Sequence, residues 1–374
     1  MLARPSLDCL LITYPIERVH SGVLDQLRAL FPVVHFYPGP DGSGTDTEYG
    51  PVVAPPAEVL AEADVILGVD VPETLKDISQ TPRLKLWQTV SSGVADITES
   101  AFYKSIPPEH PLVLSNIAGF HAVCIAQHVM MMALNHYHRM ATCAEAARKQ
   151  HWAGPTEMGG LFIREFRDLT FGLLTYGHIA REIARLATAF GARVVACTRT
   201  GAPQPIGGFH IEGTGDEEGT LPSKYFKTDK EGLHAFLGEC DVVVDMMPGG
   251  PGTYQMISTE EFKAMKDDAL FINCGRGTTV DTDVLMQAVS SKAERRGLPG
   301  SLAIGGAALD VVDPEPLPDG HPLFSLPNVI LTPHSSWATV KLYERTVELI
   351  ALNKEKLRTG DKPLNAIPRR LERL

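Results

Sequence analysis

Three short stretches of this sequence carry side chains suited to chemistry on a carbonyl next to a carboxylate. They are Asn273-Cys274-Gly275-Arg276-Gly277, then Asp310-Val311-Val312-Asp313-Pro314-Glu315-Pro316, then Thr332-Pro333-His334-Ser335-Ser336-Trp337. Each follows an apolar run that reads as a strand, and open α/β sheets bind ligands just beyond the carboxyl ends of their strands. The Arg276 fork can hold a carboxylate through two parallel bonds and polarise the adjacent carbonyl. His334 can pass a proton to that oxygen as hydride reaches the carbon, while Glu315 on its other nitrogen keeps the imidazole protonated near neutral pH. Reduction of a 2-keto acid needs this set. Each residue alone has a plainer reading: Arg276 caps a strand end, Glu315 is a solvated carboxylate in a Pro-rich turn, and His334 is a satisfied loop histidine. Three of them at strand ends of one sheet point to the site.

Hydride transfer requires a dinucleotide, and the stretch Asp168 to Thr200 has the pattern to hold one. Leu169 to Leu174 reads as a buried strand, Ile179 to Phe190 as a helix with Ile183, Leu186 and Ala187 on one face, and Val194 to Thr198 as the next strand. The turn Thr175-Tyr176-Gly177-His178-Ile179-Ala180 is an imperfect G-x-G-x-x-G fingerprint. Gly177 stands at the position that lets backbone approach a pyrophosphate, at a helix N-terminus that favours anions. Ala180 is an accepted third residue, whereas Thr175 replaces the first glycine. If that position needs a positive φ, a β-branched residue there is an outlier.

The first ~115 residues repeat the βα pattern, with strands expected at Cys9 to Tyr14, Val33 to Tyr37, Val65 to Val69, Leu84 to Val90 and Leu112 to Ser115. Gly22 to Phe31 reads as a helix, Pro38 to Pro56 as a loop. Ser91-Ser92-Gly93-Val94 leaves backbone N–H groups for a carboxylate, or is a plain start of a helix. Ala122 to Tyr137 is apolar on most faces, so it must be buried between domains or subunits, with Met130-Met131-Met132 as packing. Gly201 to Lys230, with its acidic GTGDEEGT, reads as a tolerated surface insertion. Helices at Leu233 to Leu237, Glu260 to Met265 and Asp283 to Glu294 alternate with strands at Val242 to Met246, Ala269 to Asn273, Ala307 to Val311 and Val329 to Thr332. That makes six strands from Leu169 onward. Lys341 to Leu357 reads as a charged amphipathic helix crossing back to the first domain.

A chain of 374 residues exceeds one core, so two domains are expected. A net charge of −11 argues against a nucleic-acid or anionic-membrane partner. The six scattered cysteines, without a CxxC pair, are reduced intracellular usage; no apolar stretch reaches the ~18 residues of a membrane span, and no signal peptide is visible. A cytoplasmic location is expected, and no metal site.

INCGRGTTVD, AALDVVDPEPL and LTPHSSWAT, with LLTYGHIA, DMMPGGPGTYQMI and NIAGFHAVCIAQH, resemble successive signatures of the D-isomer-specific 2-hydroxyacid dehydrogenases, in the right order from about Leu84 to Lys341. The resemblance implies two doubly wound α/β parallel-sheet domains. A Rossmann dinucleotide-binding domain, 121–337, is inserted into a flavodoxin-like substrate domain, 1–120 with 338–374. It implies Arg276 as carboxylate anchor, His334 as acid/base and Glu315 as its partner. Substrate would meet Ser92, Gly93, Val94, His121, Arg276 and His334. Cofactor would meet Tyr176, Gly177, His178, Ile179, Thr198, Arg199, Thr200, Met247, Pro248, Thr253, Cys274, Gly275, Arg276, Asp310, His334 and Ser336, with Asp310 on the nicotinamide amide and Pro248 and Thr253 on the adenosine side. Gln127 departs from the family's Glu, and the 201–230 insertion resembles one in its fungal branch. A homodimer is implied, with the apolar crossover helix as its seam.

The cofactor follows from the end of the second strand. NAD enzymes place an acid there for the ribose 2′-OH, whereas this chain has Thr198-Arg199-Thr200, which suits a 2′-phosphate. NADP(H) is favoured and NAD(H) is possible; Arg199 stacking on adenine would serve either. Trp337 and Tyr14 could wall a pocket for a bulky 2-keto acid, or Trp337 could pack at an interface. A glyoxylate or hydroxypyruvate reductase and a catalytically weak dinucleotide-sensing interaction protein are the alternatives.

Overall fold

The apolar runs fold into two all-parallel sheets. The computed structural model describes residues 7–14, 22–37, 54–161, 163–290 and 302–368. It divides into two units: Met1–Phe120 with Gly207–Phe209 and Val340–Leu374, and His121–Ile206 with His210–Thr339. Most of the loop read at Pro38 to Pro56, and the end of the helix read at Asp283 to Glu294, lie outside the described residues; that helix is observed over Thr282–Ser290.

In the first unit, strands β1 (Cys9–Ile12), β2 (Val33–Phe36), β3 (Val65–Leu67), β4 (Leu86–Gln88) and β5 (Val113–Ser115) pair in the order β2-β1-β3-β4-β5. This 2-1-3-4-5 order is the flavodoxin-like one. Leu10, Leu11, Ile12, Ile66 and Leu67 are sealed from water, as strands covered on both faces must be. Helix Val23–Leu30 buries Val23, Leu24 and Leu27. The closing helix Leu342–Thr359 lies against it and sends Asn353 into the core, where its amide donates to Gln88 Oε1 and Ser115 Oγ. Gly207–Phe209 belongs to this unit. The Phe209 N–H donates to Asn365 Oδ1 at 2.9 Å, and its ring meets Phe120 edge-on at 4.7 Å.

The second unit holds seven strands: β6 (Thr170–Leu174), β7 (Arg193–Thr198), β8 (Lys224–Lys227), β9 (Val242–Asp245), β10 (Leu270–Asn273), β11 (Gly306–Leu309) and β12 (Val329–Leu331). Their order is β12-β11-β10-β9-β6-β7-β8, so the sheet reverses at β6, between β7 and β9. A dinucleotide sheet binds its ligand at that reversal. Helices Ala122–Tyr137 and His178–Ala189 pack together over one face, burying Val129, Met130, Met132, Ile183 and Ala187 against Phe171, Leu173 and Val244; Met131 is exposed. Each fully buried Val, Ile, Leu, Met or Phe side chain among them contributes roughly 1.5–3 kcal/mol. The opposite face is closed by helix Lys230–Glu239, so close that a Cβ on Gly172 would sit 2.1 Å from Cys240 Sγ.

The seventh strand corrects the reading of 201–230 as a plain surface insertion. Its end supplies β8, paired to β7, and its body is fastened to helix His178–Ala189 by two buried charges. The Arg181 guanidinium donates to the carbonyls of Tyr176, Gln204, Asp216 and Glu217. Glu182 accepts the Gly215 N–H at 2.7 Å and pairs with Arg185. Buried charges persist only when so partnered.

Candidate active site

The turn after β6 shows why Thr175 is unusual. Its φ is +73°, the left-handed region that strains a β-branched residue, and its hydroxyl donates to the Met246 carbonyl at 3.2 Å. That bond ties the turn to the end of β9. Gly177 follows with φ −83° at the cap of helix His178–Ala189, and a Cβ there would meet nothing within 4 Å. Neither backbone geometry nor packing demands glycine at this point; open space in front of helix N–H groups fits a pyrophosphate. Tyr176 turns inward, its hydroxyl on Asp216 Oδ2 at 2.7 Å and its ring under Arg181. His178 and Ile179 form the first turn of the helix, half-buried.

At the end of β7, Thr198 Oγ1 accepts the Gly201 N–H and lies 3.4 Å from Thr200 Oγ1. Arg199 between them is exposed and makes no hydrogen bond or ion pair among the described residues. Past β9, Met247 is buried and Pro248 exposed, with the Pro248 carbonyl accepting from Thr253 Oγ1 at 2.6 Å.

The three candidate catalytic residues follow three neighbouring strands. Arg276 lies three residues past β10, Glu315 six past β11 and His334 three past β12. His334 Nδ1 is 2.6 Å from Glu315 Oε1. His334 has φ +48° and its N–H donates to the Asp310 carbonyl at 2.9 Å. Arg276 is exposed; Nη1 donates to its own Gly275 carbonyl at 2.7 Å, and no other partner takes the fork among the described residues. The glycines beside it are packing requirements. A Cβ on Gly275 would sit 2.8 Å from the Met247 carbonyl oxygen, and one on Gly277 would sit 1.8 Å from that of Val312. Cys274 beside them is buried, and its thiol is pushed up by burial and by the Asp310 and Asp245 carboxyls.

Asp310, expected on the nicotinamide amide, has both oxygens engaged by the His334 loop. They accept from Thr332 Oγ1 at 2.6 Å, the Ser335 N–H at 3.0 Å and the Ser336 N–H at 3.2 Å. Burial pushes this carboxyl up, but the bonds from Ser336, Thr332 and the two N–H groups outweigh it and hold it below the ordinary range. Ser336 is thus buried against Asp310. His128 Nε2 lies 3.1 Å from Thr332 Oγ1; burial lowers its pKa against the opposing pull of Asp310. Trp337 is 43% exposed and meets the half-buried His121 edge-on at 6.2 Å.

In the first unit, Ser92 and Gly93 are exposed and Val94 caps the helix Ala95–Thr98. The Gly93 N–H donates to Ser91 Oγ at 3.2 Å, and the Ser92 carbonyl accepts from Asn116. Tyr14 is half-buried, 6.4 Å from the Tyr343 ring. Among the described residues, Cys9, His35 and Glu62 bring possible metal-ligand atoms within 4.8 Å of one another, at the amino end of β1 rather than the end where such sheets hold ligands.

Two positions escaped the sequence reading. Asn273 shapes the Arg276 turn, its amide donating to the Arg276 carbonyl and its oxygen accepting the Gly275 N–H. Asp245 is buried at the end of β9. The signal for both was a lone polar residue closing an apolar strand.

The family model of the D-isomer specific 2-hydroxyacid dehydrogenase NAD-binding domain matches residues 130–336, more than half of the chain. The chain belongs to this dehydrogenase family. Among its relatives, a glyoxylate reductase of Thermofilum pendens is 29% identical over 75% of this chain and 74% of that protein. A glycerate dehydrogenase of Methylorubrum extorquens is 28% identical over 83% and 87%. Among solved structures, a D-isomer specific 2-hydroxyacid dehydrogenase of Xanthobacter autotrophicus, in complex with NADPH and MES, superposes with a TM-score of 0.72 at 22% identity, covering 97% and 98% of the two chains. A dehydrogenase of this family is an oxidoreductase using NAD(P). No helix among the described residues is long and apolar enough to cross a membrane, and none of the six cysteines is in a disulfide.

Proposed function

We propose that this dehydrogenase reduces 2-keto acids to D-2-hydroxy acids with NADPH. The observation that carries the reading is the 2.6 Å contact of His334 Nδ1 with Glu315, two strands over from an exposed Arg276 fork whose one partner among the described residues is the adjoining Gly275 carbonyl. Arg276 takes the substrate carboxylate in two parallel bonds and draws density from the carbonyl beside it. Glu315 occupies Nδ1, which fixes the ring and leaves Nε2 to hand its proton to the carbonyl oxygen. A reduced dinucleotide held by its pyrophosphate at the Gly177 turn would supply the hydride for the carbonyl carbon. Asp310 holds the loop that carries His334, and the Ser92–Val94 backbone and His121 complete the substrate contacts. Arg199 with Thr198 and Thr200 receives the 2′-phosphate, for which an acid in that place would be repulsive.

Relatives named glyoxylate reductase and glycerate dehydrogenase support small 2-keto acids as substrates. The reading includes a cytoplasmic homodimer with helix Ala122–Tyr137 at its seam. The test is steady-state reduction of glyoxylate, hydroxypyruvate, 2-ketoisocaproate and phenylpyruvate with each reduced cofactor. Turnover of at least one keto acid, with higher kcat/KM for NADPH, is expected; no turnover of any would refute it.

A further inference from the structure

A buried carboxyl that the mechanism above does not use lies between the two loops the mechanism depends on. Asp245 closes β9, fully enclosed, with Asn273 of β10 and Leu174 of β6 as its neighbours in the sheet. Its Oδ1 accepts the Met247 N–H at 2.8 Å, which sets the Met246–Met247 corner where Thr175 bonds and against which Gly275 packs. Its Oδ2 lies 2.6 Å from Thr279 Oγ1, and that same hydroxyl lies 2.7 Å from the Arg276 carbonyl oxygen.

Thr279 has fewer protons than partners. A hydroxyl has one proton to give, yet here it stands within bonding distance of two oxygens, and a carboxylate and a carbonyl are both acceptors only. With Asp245 ionised, one contact would set lone pair against lone pair at 2.6 or 2.7 Å. With Asp245 protonated, both are satisfied: Oδ2–H donates to Thr279 Oγ1, which donates to the Arg276 carbonyl. We propose that Asp245 is a positioning residue for Arg276, a neutral carboxylic acid whose proton completes this relay. Loss of the proton turns the Thr279 hydroxyl toward Asp245 and takes one bond from the Arg276 carbonyl, which is left with the Asn273 amide and the Thr279 N–H.

The surroundings agree. Burial pushes the Asp245 carboxyl up to about 6, against the opposing bonds from Thr279 and the Met247 N–H. Cys274, from the end of β10, is the titratable group that senses its charge, and no charged side chain offsets it among the described residues. The relay therefore opens as pH rises through that value, within the range in which a reductase works.

This inference rests on the proposed function, and Asp245→Asn separates the two. An amide donates to Thr279 and accepts from Met247 at any pH, as the neutral acid does. In the unaltered enzyme, KM for the keto acid should rise about three- to tenfold from pH 5 to pH 7.5, the range one net hydrogen bond commands. In Asp245→Asn it should stay low and flat. Thr279→Val should raise KM at every pH, and Thr279→Ser should restore the parent profile. The infrared difference spectrum of the unaltered enzyme minus Asp245→Asn at pH 5 should show the C=O stretch of a neutral carboxylic acid. The proposal is overturned if Asp245→Asn keeps the parent KM profile or if that difference spectrum holds no neutral-acid band. A protein that reduces no keto acid refutes the function instead, and the infrared comparison then still decides whether Asp245 holds a proton.

Discussion

Replacing Arg199 by alanine removes a positive side chain just past the end of β7, and the structure sets how much that should matter. The guanidinium is exposed and unpaired among the described residues, so a 2′-phosphate gains it without breaking another bond. Hydrogen bonds to charged groups contribute about 1.5–3 kcal/mol, and exposure selects the lower end because water and salt screen the pair. The ratio of kcat/KM for NADPH over NADH should fall about tenfold in Arg199→Ala. Nearly all of it should come from the NADPH value, since a 2′-OH offers the guanidinium no charge. The assay is initial-rate kinetics at a saturating keto acid with each reduced cofactor, at 0.1 M and 1 M salt. The parent enzyme should lose its NADPH preference as the screening length contracts from about 10 Å to about 3 Å. Equal losses with both cofactors, independent of salt, would mean that Arg199 only stacks on adenine, and the phosphate argument would fall.

Thr175 and Asp241 give two further tests. Thr175→Ala keeps the left-handed backbone and loses the bond to Met246, so it should cost about 1 kcal/mol. Thr175→Gly loses the same bond but relieves about 1–2 kcal/mol of strain; calorimetry should place its transition about 2–4 °C above that of the alanine variant, and the reverse order would show that the turn is unstrained. Asp241 pairs with Arg164 at 2.8 Å and Lys266 at 3.1 Å and accepts the Thr170 N–H at 2.9 Å. Burial pushes its carboxyl up, but these partners outweigh it and hold the folded pKa below the unfolded one. Its stabilisation is therefore present above the ordinary carboxylate pKa of about 4 and lost as pH falls through the lower folded value. Asp241→Asn should cost about 1–3 kcal/mol at pH 7, discounted because both cations are about a third exposed. The cost should shrink in thermal melts at pH 3; an undiminished cost there would contradict the assignment.

Much of this molecule was legible because parallel strands buried on both faces must be continuous apolar runs. VVVD and LFIN read as β9 and β10 without ambiguity, and the polar residues after them fall at ligand-binding ends by topology alone. β8 was not legible. As an edge strand, KYFK buries only Phe226, and its two lysines hide the pattern. The insertion before it looked like solvated chain because its composition is Gly- and acid-rich. What fixes it is Arg181 and Glu182, charges on a helix face whose burial no pattern of residues announces. The strain at Thr175 was foreseeable from its place in the fingerprint, but the Met246 carbonyl that holds it was not. Asp310 was read for its nearness to cofactor, whereas the contacts seen are those that anchor the His334 loop.

In the proposed mechanism Arg276 anchors the substrate carboxylate while His334 gives up its proton, and the decisive measurement is kcat/KM for a 2-keto acid in Arg276→Ala beside the Kd of the reduced cofactor. A loss on the order of 10²-fold or more in kcat/KM, with cofactor affinity changed by less than about threefold, is the predicted result. Unchanged keto-acid reduction in that variant would contradict the claim.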